Sequence, residues 1–252
     1  MPEEAVMSQL DIYPDEAFKE MVDAGVFYGR KKSKTNPRMK PFIFGNRNGI
    51  EIIDLTKTTV GLLKATEFIK EKVAKREDMI LCVGTQPAAH DMKEALGEFN
   101  FPYVSGRWIG GTLTNHKTIF SRVERLKQLR MEREKGMHDK YTKKERVLLD
   151  REMNRLEIIV GSIENLSRLP DMLLVVDSKV HETAIREAHR MKVPIVALDN
   201  TDANPDHANY SVVGNNASRK SVVWFLEKMR DAVREGKSKQ SPVAEPVKVG
   251  DN

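Results

Sequence analysis

Thiol chemistry is almost absent from this chain. Its one cysteine, Cys82, lies inside the apolar run ILCV. An internal disulfide is therefore excluded, as is a metal site built on several thiolates, and Cys82 reads as a small buried hydrophobe. No apolar run approaches the roughly 18 residues a membrane span needs. Acids disappear between Gly29 and Arg47, where seven bases stand alone. The P-loop pattern and the G-x-G-x-x-G dinucleotide fingerprint are both lacking. None of the six histidines forms a metal-spaced pair such as HExxH, and all read as structural or surface residues. No acid pairs clearly with a nucleophile. Neither a metal nor a cofactor is expected, and no small-molecule substrate. The start, MPEEAVMSQLDIYPDEAF, is acidic and free of arginine, unlike a secretory or transit peptide. The expectation is a soluble cytoplasmic protein that touches no membrane.

What is present is a polar, basic chain long enough for a full core: 252 residues, net charge +5 and pI near 9.1. Residues 1–28 carry seven acids against one base, and the seven bases of 29–47 follow directly, so two opposite electrostatic surfaces adjoin. Short apolar runs at 80–84, 102–104, 172–177, 194–199 and 210–214 lack strict alternation, which suits strands covered on both faces. Helical patterns lie between or beside them at 56–76, 87–98, 181–191 and 217–234. The first of these should bury Leu62, Leu63, Phe68, Ile69 and Val73. Asn48-Gly49, between the apolar runs of FIFGNRNGIEIIDL, signals a hairpin. The fold class is α/β: a five-stranded parallel sheet flanked by helices, doubly wound and flavodoxin-like.

Between Asn115 and Leu169 the strand signal stops. Two long helical patterns, 114–136 and 142–167, carry heptad steps at Ile119, Val123, Leu126 and at Leu149, Met153, Leu156, Val160, Ile163. Residues 127–146 have few large apolar side chains, which predicts an antiparallel coiled-coil hairpin protruding from the body. Segment 117–157 holds thirteen bases and eight acids. The expected division is an acidic segment 1–28, a sheet domain of 29–113 and 168–235, an inserted hairpin 114–167, and a disordered tail 236–252.

Two stretches ask for a chemical explanation. GRWIGGTLTN, beginning at Gly106, follows a predicted strand, but its glycine spacing fits no phosphate loop. Gly110-Gly111 allows a tight turn, Thr112 or Thr114 is placed to cap the next helix, and Trp108 is expected in the core. Asp177, Asp199 and Asp202 follow strand ends, where α/β enzymes bind ligands and where aspartates also close turns. The denser feature is GRKKSKTNPRMKPFIFGNRNG, Gly29–Gly49, a loop with little room for helix. Cations in such an arm suit phosphate-backbone binding. Phe42 and Phe44 could stack on bases, but at strand spacing both are expected in the core.

Taken together, NPRMKPFIFGNRNGIEIIDL (36–55), PYVSGRWIGGTLTNHKTI (102–119) and LPDMLLVVD (169–177) resemble the bacterial small-subunit ribosomal protein S2 family, from about Ala24 to Met229. The resemblance implies a place on the 30S subunit, contacts with 16S ribosomal RNA, neighbouring small-subunit proteins as partners, and docking of the large mRNA-recruiting protein S1. The candidate RNA-binding residues are Arg30, Lys31, Lys32, Lys34, Asn36, Arg38, Lys40 and Arg47 in the arm, with Arg107, Thr114, Asn115 and Lys117 after the apolar run 102–104, and Lys143 and Lys144 in the hairpin. Where the family usually has His-Phe-Gly-His, this chain has Phe27-Tyr28-Gly29-Arg30, so no histidine-mediated or metal contact of that motif carries over. A nucleotide-binding α/β enzyme using strand-end loops is the alternative, and a coiled-coil adaptor working through protein contacts alone is a third reading.

Overall fold

The computed structural model describes residues 15–240. In chain order its elements are α1 (Asp15–Asp23), β1 (Tyr28–Lys31), β2 (Ile43–Arg47), β3 (Ile50–Ile53), α2 (Leu55–Ala74), β4 (Ile80–Val83), α3 (Met92–Ala95) and β5 (Tyr103–Val104). There follow α4 (His116–Glu134), α5 (Lys143–Val160), β6 (Met172–Val176), α6 (Glu182–Met191), β7 (Ile195–Asp199), β8 (Tyr210–Val213) and α7 (Arg219–Ser238). Most of the tail expected to be disordered, 241–252, and the first half of the acidic segment lie outside the described residues; α7 itself continues to Ser238.

The five apolar runs form one parallel sheet in the order β5-β4-β6-β7-β8, the flavodoxin-like winding. Helices cover both faces, so alternate side chains enter two separate cores. Ile80, Cys82, Leu174, Val196 and Leu198 pack with α2 and α7. Leu81, Val83, Leu173, Val175 and Ala197 pack with α4, α5 and α6. Burial pushes the Cys82 thiol up to about 12, so it stays protonated and unreactive. Helix α2 buries Leu62, Ile69 and Val73, while Phe68 stacks on Tyr210 at 4.3 Å between ring centroids.

The hairpin at Asn48-Gly49 forms with both residues at positive φ, +52° and +79°, as a two-residue type I′ turn requires. It belongs to a three-stranded antiparallel sheet, β1-β3-β2, and β1 is a strand the sequence did not signal. Its four residues, Tyr28, Gly29, Arg30 and Lys31, carry no apolar alternation. What holds them is pairing with β3 and a close approach at Gly29, where a Cβ would lie 2.8 Å from the Glu51 carbonyl oxygen. The expected loop is thus a strand followed by two 3-10 turns, Lys32–Lys34 and Pro37–Phe42. The helix expected at 87–98 is also broken. Pro87 opens one 3-10 turn, Gly97 another, and only Met92–Ala95 is α-helical between them.

The heptad stripes of α4 and α5 pack into the second core, and that core reaches further than expected, since Leu129 is fully buried. Met131, Met137, Val147 and Leu148 are exposed, so the distal part stands clear of it. The ion pairs between the helices climb both together, Arg125 to Glu152 and Arg130 to Glu157. Arg130 also reaches Glu164 at 2.6 Å.

Candidate nucleic-acid interface

Two polar regions stand at the carboxyl edge of the parallel sheet, one at each side. The first is the loop after β5. Its amides do cradle an anion, but the anion is the chain's own Glu187 on α6. The Glu187 carboxylate accepts hydrogen bonds from the amides of Gly111 (2.8 Å), Leu113 (3.0 Å) and Thr114 (3.2 Å). It also accepts from the Trp108 indole (3.0 Å) and the Thr114 hydroxyl (3.2 Å). Glu187 is 9% exposed. Burial pushes its carboxyl up, but the Trp108 indole and the three amides outweigh that and hold it below the usual glutamate value. Gly111, at φ +92°, supplies the left-handed turn that aims these amides inward. Thr112 and Thr114 do not cap α4. Asn115 occupies the cap position without a side-chain cap bond, because Thr112 donates to the Ile109 carbonyl and Thr114 is taken by Glu187.

The crevice between β4 and β6, where a fold of this winding would hold a nucleotide, is spanned by the chain's own groups. The Thr85 amide donates to His181 Nε2 at 3.3 Å, and His181 Nδ1 lies 2.9 Å from the Asp177 carbonyl oxygen. Those bonds fix the tautomer, and burial holds the imidazole below its ordinary pKa, hence neutral. Gln86 donates to Asp177 at 2.5 Å. Asp177 adopts φ +71° and accepts the amides of Lys179 and Val180. Asp199, fully buried between the amide of Ser178 and the hydroxyl of Ser211, is pushed up to about 6 by burial. Asp177 closes its own turn, and Asp199 ties the loop after β6 to β8.

The second region is the basic arm of β1 to β3, docked on the loops after β7 and β8. Arg30 was expected to face phosphate, and the structure turns it inward instead. Its amide donates to Thr201 and its guanidinium to Asn216 at 3.0 Å, with Asp202 at 3.6 Å and Asp177 at 3.9 Å. The Asn36 amide donates to the Thr201 carbonyl, and its side chain accepts from Arg38. Arg38 is exposed but paired with Asp206. Lys31, Lys32, Lys34, Lys40 and Arg47 are exposed. Phe42 packs on Met39, Ile53 and Val213, as expected. Phe44 does not; it lies in the irregular step of register between Ile43 and Gly45 and is 81% exposed.

Of the remaining candidates, Arg107, Asn115 and Lys117 are exposed around the β5 loop, and Lys143 and Lys144 are exposed in the first turn of α5. Thr114 is directed inward to Glu187 and is removed from the outward set by that bond. The arm and the β5 loop lie at opposite ends of a five-strand edge, roughly 19 Å apart at 4.8 Å per strand. Sequence reasoning missed Glu187. Its one signal was a carboxylate on the helix face that also presents Ala184 and Ala188 to the core.

The chain is thus a doubly wound α/β protein whose ligand crevice is spanned by its own side chains and whose arm cations are mostly exposed. The profile described as Ribosomal protein S2 matches residues 21–236. Over 228 residues the chain is 41% identical to the small ribosomal subunit protein uS2 of Pseudoalteromonas atlantica, covering 90% of this chain and 93% of that one. Over 222 residues it is 38% identical to the uS2 of Psychromonas ingrahamii, covering 88% and 91%. The chain belongs to the ribosomal protein S2 family. It is a structural constituent of the small ribosomal subunit and not an enzyme. Among the described residues no helix is long and apolar enough to cross a membrane.

Proposed function

We propose that the chain grips 16S ribosomal RNA chiefly through the outward cations of the arm, Lys31, Lys32, Lys34, Lys40 and Arg47. Arg107, Asn115 and Lys117 make a second contact beside β5, and Lys143 and Lys144 a third on the helical insertion 114–167. The observation that carries this reading is a run of exposed bases with no acid from Gly29 to Arg47, mounted on a sheet. Counterion release supplies affinity, and the rigid mount supplies position. Arg30 serves as the internal tie that holds the mount, and Arg38 is partly neutralised by Asp206. The acidic segment 1–28 brings charge of opposite sign for docking protein S1 during translation, and the body of 29–113 and 168–235 helps assemble the subunit.

The test is charge reversal. A chain carrying Lys31→Glu, Lys32→Glu, Lys34→Glu and Arg47→Glu together is expected to fold, because all four side chains are exposed. It should be depleted from purified 30S particles relative to a coexpressed unaltered copy. Incorporation at normal stoichiometry would refute the reading. Binding to RNA by the unaltered chain should also weaken with salt, by about 0.7–0.9 log units per phosphate contact per log unit of salt.

A further inference from the structure

The three-stranded sheet has an outer face that the charge argument leaves unused. Glu51 and Ile53 of β3 point inward and are buried. Residues paired directly across the strands share the opposite face. One such row is Tyr28, Ile52 and Gly45, and the next is Lys31, Ile50 and Arg47. Tyr28 is 49% and Ile50 39% exposed, with Phe44 standing out of the adjacent bulge. A Cβ at Gly45 would meet nothing within 4 Å, so open floor lies beside the Phe44 ring.

We infer that this face is a stacking platform for unpaired RNA nucleotides, with Phe44 and Tyr28 taking bases and Lys31 and Arg47 the flanking phosphates. The inference rests on the RNA-binding reading above and adds to it the kind of RNA. Three features select the occupant. Both charged side chains in the two rows are cations, which suits a polyanion. The apolar groups include two exposed aromatic rings, and flat rings bind bases by their faces without regard to sequence. A paired A-form helix keeps its bases stacked inside, so only a loop, bulge or single strand can place a base on Phe44. An acidic protein segment would satisfy the cations but has no equal use for the ring and the open floor beside it.

The experiment uses the full chain, a single-stranded RNA dodecamer, and a duplex of the same composition and phosphate number. In Phe44→Trp the added indole is read against the background of Trp108 and Trp224. It should be quenched by the single strand and not by the duplex. Phe44→Leu should weaken single-strand binding on the order of tenfold, leave duplex binding unchanged, and keep the melting temperature, since the ring is 81% exposed. If Phe44→Leu binds the single strand as the unaltered chain does and the indole is not quenched, the platform is wrong while the RNA-binding reading stands. If the unaltered chain binds neither RNA at low salt, both fall. If quenching appears only on adding an acidic peptide, the face is a protein site and the inference is overturned.

Discussion

The β5 loop and the basic arm are both polar, glycine-containing segments at one edge of one sheet, yet they treat charge in opposite ways. The loop turns its donors inward, and Glu187 satisfies five of them. The arm turns one cation inward, Arg30, and leaves six exposed, of which Arg38 is paired with Asp206. A loop that resembles a phosphate cradle is thus closed by an internal anion, while a run that resembles solvated surface keeps most of its charges exposed. The loop carries one base and the arm seven, but what decides which groups stay exposed is whether a counter-group lies elsewhere in the chain.

The sharpest way to break that contrast is Glu187→Ala. It strands four N–H donors and a hydroxyl in a nearly buried site, which should cost roughly 3–5 kcal/mol. Denaturant titration checks it, and a loss under about 1 kcal/mol would mean the loop is held by something else. The two perturbed carboxyls then separate by pH. Glu187, held low, contributes stability above the ordinary glutamate range that is lost as pH falls through its folded value. Asp199 has the opposite sign. Its folded value of about 6 lies above the ordinary 3.8, so its contribution is favourable in acid and is lost as pH rises through 6. Asp199→Asn should therefore gain on the unaltered chain between pH 4 and 7, by about 3 kcal/mol at the top. A constant difference across that range would contradict the buried, ionising carboxyl.

On the arm's side, Arg30→Met leaves Asp177 without its cation and Asp202 with Lys179 alone, and should cost about 2 kcal/mol, less than for a fully buried pair because Arg30 is partly exposed. Hydrogen exchange in β1 should accelerate with it; unchanged protection there would show that Arg30 is not the tie. The smallest effects lie in the glycines. Gly111→Ala is strained at φ +92° and meets Asn115 at 3.3 Å, for about 1–2 kcal/mol, whereas Gly106→Ala enters open space and should change stability by under about 0.5 kcal/mol. Thermal melts of the two variants side by side test the difference.

Much of the fold was legible because apolar runs covered on both faces read the same from any distance. The five strands, α2 and the Asn48-Gly49 turn all appear where the pattern put them. The failures share a cause. Strand β1 has no apolar pattern and exists through its partner β3. Phe44 keeps strand spacing with Phe42, but a slip in register sends it outward. The stretch 87–98 has helical composition, but proline and glycine divide it into single turns. Arg30 and Thr114 looked like outward ligands because their partners lie 172 and 73 residues away.

The sequence alone determined the class of fold, the separation of acidic and basic segments along the chain, and the family, since these depend on periodicity, composition and local motifs. Tertiary structure decided which polar groups remain free. Whether a cation or an amide is available to a partner depends on a counter-group brought near by folding, and no local pattern in a chain records that distance.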